Sequence, residues 1–89
     1  MRTIAINRTS SGALTSGPAV LEGFYVNSTT SGTVKFWNNT TGVSGENLTG
    51  TITPAIGHHN LFGMKGTVAL YADFGGTADI TFFIRDEDL

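Results

Sequence analysis

The sequence predicts a small all-β domain, a β-sandwich of jelly-roll type, and three observations predict it. Twelve glycines are spread along an 89-residue chain, and each costs about 1 kcal/mol relative to alanine inside a helix. Between them Thr, Val, Ile, Phe and Tyr dominate, residue types that fit a pleated, half-buried surface. No window of a dozen residues repeats apolar groups at the three-four spacing of an amphipathic helix, whereas several shorter runs alternate.

The strands follow in chain order. Ile4 and Ile6 point one way, with Thr3 and Ala5 the other. A stronger run covers residues 20–26, and residues 33–37 follow with Val34 and Phe36 on one face. Between these two lies Asn27-Ser28-Thr29-Thr30-Ser31-Gly32, a polar connection ending in glycine that predicts a hairpin loop. Residues 48–53 set Leu48, Gly50 and Ile52 against Thr49, Thr51 and Thr53, and Pro54 ends the run. Residues 67–74 and 77–84 flank Gly75-Gly76, a pair suited to the positive φ of a tight hairpin turn.

The two hairpins resemble each other. Phe24-Tyr25-Val26 and Leu70-Tyr71-Ala72 lead in, while Gly32-Thr33-Val34 and Gly76-Thr77-Ala78 lead out. They are expected at equivalent places in two facing sheets. Residues 7–18, 38–47 and 55–65 carry Gly, Ser, Asn and Pro at turn-forming density and are expected to be irregular. Six strands at this spacing make a sandwich, with an interior of Val20, Phe24, Val34, Phe36, Leu70, Ile80 and Phe82, or the alternate register.

At 89 residues the chain is one domain, with residues 85–89 as an acidic C-terminal tail. A chain this short buries only about 60–65% of its unfolded surface, and domains of this size commonly add disulfides, a metal or oligomerisation. There is no cysteine, and only His58 and His59 offer nitrogen ligands, so neither a disulfide nor a structural metal is expected. Self-association remains. The formal charge is −2, and the basic residues Arg2, Arg8, Lys35, Lys65 and Arg85 are scattered. No basic patch exists for nucleic acid.

Charged residues make up 13% of the chain, against about 25% in ordinary soluble domains. The polar surface therefore comes from Thr, Ser and Asn, short side chains with little rotamer freedom to lose. Such a surface suits a protein covered by neighbours, or one facing variable salt. No run approaches the ~20 apolar residues of a membrane span. The apolar run near the N-terminus ends at Ile6, short of the ~7–15 residues of a secretory signal. No membrane partner is expected.

Candidate chemistry is sparse. His58-His59-Asn60 is placed in a long loop after Pro54, where adjacent residues point apart and rarely ligate one ion. They are expected to be ordinary loop residues, or interface groups whose charge responds to mild acid. No serine lies in the Gly-x-Ser-x-Gly turn of a hydrolase. Asp73 and Asp79 flank the Gly75-Gly76 turn, and the two facing carboxylates of a glycosidase are a lesser reading than turn-shaping, solvated side chains. Asp86-Glu87-Asp88 is read as a solvated tail. Sequons begin at Asn7, Asn27, Asn38, Asn39 and Asn47, as chance allows in so Thr-rich a chain. No catalytic residue, cofactor or metal is expected, and the chain is read as non-enzymatic. Trp37 and Phe62, at a strand end and in a loop, are the aromatics that the core does not obviously claim. With His58 and His59 they are the candidate interface residues.

Three segments carry a family resemblance. Gly23-Phe24-Tyr25-Val26-Asn27-Ser28-Thr29-Thr30-Ser31-Gly32-Thr33-Val34, then Gly50-Thr51-Ile52-Thr53-Pro54, then Gly75-Gly76-Thr77-Ala78-Asp79-Ile80-Thr81-Phe82-Phe83 together resemble small virion proteins of tailed bacteriophages, including cyanophages. The resemblance runs from about Gly23 onward and rests on turns and alternating strands. The Asp-Glu-Asp-Leu ending after Ile84-Arg85 departs from the pattern. The resemblance implies a jelly-roll module that decorates capsids, often as a trimer, or forms part of a neck, tail or fibre. The expectation is a capsid decoration, or cement, protein on the outside of the phage head, a homotrimer whose partner is the major capsid protein. A neck, tail or fibre component is the alternative. A carbohydrate-binding β-sandwich using Trp37 as a stacking platform is the second.

Overall fold

The computed structural model describes residues 3–41 and 45–86, and among them every regular element is a strand. These are β1 (Thr3–Arg8), β2 (Gly12–Ala13), β3 (Ala19–Asn38), β4 (Glu46–Asn47), β5 (Gly57–Gly66) and β6 (Tyr71–Asp86). All pairing is antiparallel and belongs to one sheet, in the order β1-β6-β3-β4, with β2 on β6 and β5 on β3. The fold is all-β and sandwich-like, as the sequence predicts.

The two long strands make both layers. Straight, the 20 residues of β3 would run about 65 Å, whereas the molecule's largest extent is 35 Å. Phe24 and Phe36 would lie about 40 Å apart on a straight strand, yet their ring centroids are 5.9 Å apart. The β3–β6 ribbon therefore folds back on itself. One layer is β1-β6-β3-β5, built on the pairs Ile4↔Ile84, Leu21↔Ile84 and Leu21↔Met64. The other joins the Val34–Trp37 and Tyr71–Phe74 arms to β2 and β4.

This revises the two predicted hairpins. A hairpin pairs its own arms edge to edge, but here Thr30 pairs with Thr77 and Thr33 with Gly75, so both strands run on through the bend. The predicted turns lie opposite each other at the fold line. Ser31 (φ 53°) and Gly76 (φ 67°) take the left-handed conformation there. Bulges between Leu21 and Gly23, Val26 and Ser28, and Thr30 and Thr33 give β3 extra residues relative to β6, and such insertions bend and twist a strand.

The seven residues predicted for the interior are all buried, at 2% exposure or less. Six belong to one cluster in which the Phe82 ring meets Phe24, Phe36 and Phe74 at centroid distances of 5.7–6.1 Å. Val20 lies outside it. It follows Ala19 and precedes Leu21, both cluster members, so alternation turns it to the outer face, where its Cγ1 lies 3.6 Å from the position a Cβ on Gly63 would take.

The predicted strand over residues 48–53 is present only as contacts. Leu48 N–H donates to the Phe36 carbonyl (2.7 Å), Val34 and Ile52 exchange two bonds (2.8 and 2.9 Å), and the Thr49 hydroxyl takes the Phe36 N–H (3.2 Å). A threonine side chain here replaces the backbone acceptor that a regular strand would offer. The segment from 55 to 65, expected to be irregular, is mostly β5.

Asn38 closes the second layer. It is 9% exposed, the buried polar side chain among the described residues. Its amide donates to Glu46 Oε1 (3.0 Å) and Thr67 Oγ1 (2.8 Å), and its oxygen accepts from the Val68 and Ala69 N–H groups (2.7 and 3.2 Å). Asn38→Ala strands the buried Ala69 N–H and is expected to cost about 2–3 kcal/mol, or roughly 10–20 °C in Tm for a domain this size. A variant melting with the parent would refute this role.

Candidate functional site

Strand β5 builds the most unusual surface feature. Opposite β3, Asn60 pairs with Gly23 and Met64 with Leu21, so β5 spends four steps where β3 spends two. The extra residues form a bulge with Phe62 at φ 55° and Gly63 at φ 79°. The Asn60 side-chain oxygen accepts the Phe62 N–H at 2.7 Å, an Asx turn that fixes the bulge. Leu61 and Met64 on its flanks pack against the core. Phe62 between them is 90% exposed.

Left-handed backbone at a bulky non-glycine residue costs about 1–3 kcal/mol. It is held here by the anchored flanks and by the Asx turn. The result is a large aromatic side chain displayed away from the core on a strand whose flanks are anchored, the arrangement expected of an interface anchor. Sequence reasoning named Phe62 but placed it in a loop. The Leu-Phe-Gly-Met order carries the signal for the bulge, because Leu61 and Met64 can both face the core only if the strand breaks its alternation between them.

His58 and His59 also lie in β5 rather than in a loop. The His59 ring stacks on Phe24 (centroids 5.1 Å, planes 29° apart), and its Nε2 donates to the Ala55 carbonyl at 2.8 Å. His58 points to the opposite face, 6.2 Å from the Phe83 ring. Strand alternation separates the two imidazoles, so they cannot share an ion. Among the described residues no group of three His, Asp or Glu side chains gathers to hold a metal.

Trp37 is half-buried in the other layer, paired with Tyr71 and Asn47. Lys35 Nζ sits 4.7 Å from its ring centroid, a cation–π contact that covers the ring. Its Nε1 is buried and finds no acceptor among the described residues. The structure thus does not bring the four candidate residues together: Trp37 lies on one layer, while Phe62, His58 and His59 lie along the edge of the other.

Asp73 and Asp79 fall on different arms of the bent β6. The Ser11 hydroxyl donates to Asp73 (3.3 Å). Asp79 Oδ1 accepts from the Asn7 and Asn27 amides (2.6 and 3.3 Å), and both amides also reach Thr81 Oγ1 (3.1 and 3.0 Å). This Asn-Asp-Asn-Thr ladder ties β1 and β3 to β6 beside Tyr25, which is 43% exposed. Sequence reasoning missed it, because its members meet only through strand pairing. Arg85 and Asp86, expected to begin the acidic tail, continue β6, and Arg85 lies 3.6 Å from Glu22. Glu87, Asp88 and Leu89 lie outside the described residues.

Compared with protein-family models, curated proteins and solved structures, the chain matches none.

Proposed function

We propose that this chain is a structural protein of a tailed-phage particle, a decoration protein that binds the outside of the head shell and acts by association alone. The observation that carries the reading is the display of Phe62, an aromatic group 90% exposed at the cost of a left-handed backbone. A protein working as a free monomer gains nothing from such a side chain, whereas a partner that buries it gains a hot-spot contact. The virion assignment itself comes from the resemblance carried by residues 23–34, 50–54 and 75–83.

The mechanism is mass action. A protein that binds the assembled lattice and not the dispersed subunits stabilises the lattice. If it is a trimer whose base spans several capsid subunits, linked contacts raise effective concentration and individually weak ones suffice. Quantitative mass spectrometry of purified particles tests the placement. Hundreds of copies per particle are expected for a decoration protein, while a dozen or fewer would assign the chain to the neck, tail or fibre. Absence from the particle would overturn the reading. The carbohydrate reading loses ground because Lys35 covers the Trp37 ring on which it depends.

A further inference from the structure

Among the described residues the sheet ends on four strands, β1, β2, β4 and β5, each paired with a named strand on one side only. An open edge invites a further strand, and folds blunt such edges with brevity, charge or a bulge. β2 and β4 are two residues long. β5 is broken by the bulge at Phe62 and Gly63 and carries Lys65. β1 has none of these defences. Its six residues pair with β6 in unbroken register from Thr3↔Arg85 to Arg8↔Ile80, with no proline and no charge before Arg8.

The core is also incomplete at this edge. Ile4 belongs to the inward row Ile4–Ile84–Leu21–Met64. Ile84 and Leu21 are buried, yet Ile4 at the end of the row is 44% exposed. A cleft of about 360 Å³ between Ile4, Ile84 and loop residues 14–18 leaves that side of the strand open. Ile6, the next inward residue of β1, packs against the core but is only partly buried.

We propose that the free edge of β1 takes an extended segment of another protein as an added antiparallel strand, with apolar residues at alternate positions and acidic residues at its ends. Only an extended chain supplies main-chain partners for the outward N–H and C=O groups of an edge strand. Alternation follows from Ile4 and Ile6, because every second residue of the added strand falls beside them on the inward face. Charge sets the ends and argues against a second copy. Arg2 and Arg8 bracket the strand in sequence with no acidic residue between them, so a fully overlapped antiparallel pair of β1 strands would set arginine against arginine at both ends, and like charges placed opposite are destabilising. The inference does not rest on the virion reading, since it concerns the purified chain and a strand that binds it.

The probe is a synthetic peptide of alternating valine and threonine flanked by glutamates, titrated into the full chain with amide hydrogen exchange as the readout. Binding is expected to protect amides within Thr3–Arg8 and to leave those of β5 unchanged. The same peptide N-methylated at alternate amides is expected to bind about tenfold or more weakly, because it lacks the main-chain donors. Ile4→Lys puts an inward charge on the edge and is expected to weaken binding by a similar factor, while Ile56→Lys, at an isoleucine 64% exposed outside β1, leaves it unchanged. Arg8 is exposed, so Arg8→Glu keeps the fold even if Ile4→Lys does not, and it is expected to reverse the preference toward a lysine-flanked peptide. No binding, equal binding of the N-methylated peptide, protection outside β1, or indifference of Arg8→Glu to the flanking charge would each overturn the proposal. A wild type that self-associates and is made monomeric by Ile4→Lys would assign the edge to a second copy and overturn it as well.

Discussion

Gly76→Val is expected to abolish the fold or to cost it several kcal/mol. Gly76 sits at the corner where the β3–β6 ribbon turns back, with φ 67°. A β-branched residue is a genuine outlier in that conformation. The obstacle is also steric, because a Cβ on Gly76 would run into the Ser31 carbonyl oxygen across the corner. That oxygen is backbone and cannot swing aside as a side-chain end can. On the facing strand, Gly32 is buried and a Cβ there would lie 2.6 Å from the Thr77 carbonyl, so neither strand can yield to the other. Gly75 differs, since its nearest neighbour is the Thr33 hydroxyl, which a rotamer change can move. Thermal unfolding should therefore rank Gly76→Val far below Gly75→Ala. Equal melting temperatures for Gly76→Val and wild type would refute the bent-ribbon account.

Phe82→Ala is the second large effect. Phe82 is fully buried and touches three other phenylalanines, two from β3 and one from the far arm of β6. Truncating a core phenylalanine costs about 3–5 kcal/mol through lost transfer energy and the cavity left behind. A domain of 89 residues holds only about 5–10 kcal/mol in total, so this one change removes much of the margin. Denaturant titration should show the midpoint falling sharply while the cooperative transition persists. Phe83→Ala, one residue along on the outer face, is the control and should cost far less. If the two variants unfold alike, Phe82 does not join the layers as described.

The sequence by itself determined the class of fold and most of its interior. Glycine and β-branched residues spread along the whole chain exclude helix locally, whatever the tertiary context. The alternation around Phe24, Val34, Phe36, Ile80 and Phe82 names the buried face, because period-two burial is a property of each strand alone. It also marked residues 27–32 and Gly75-Gly76 as places where the chain must change direction, and Phe62 as an aromatic that the core does not claim.

Only the tertiary structure decided how those breaks are used. A polar connection ending in glycine serves equally for a tight hairpin or for a corner in a continuous strand, and the choice depends on which edge each arm pairs with. That is a non-local matter. Residues 19–37 find their hydrogen-bond partners at 71–86, some fifty residues away, and nothing between Asn27 and Gly32 records it. The same limit hid the histidines and the bulge. His58 and His59 look like loop residues until β3 offers them an edge, and the two extra residues of β5 become a display for Phe62 only when counted against Leu21 and Gly23. Side-chain periodicity is written in each segment, but register and layer pairing arise between segments, and they set which surfaces the folded chain presents.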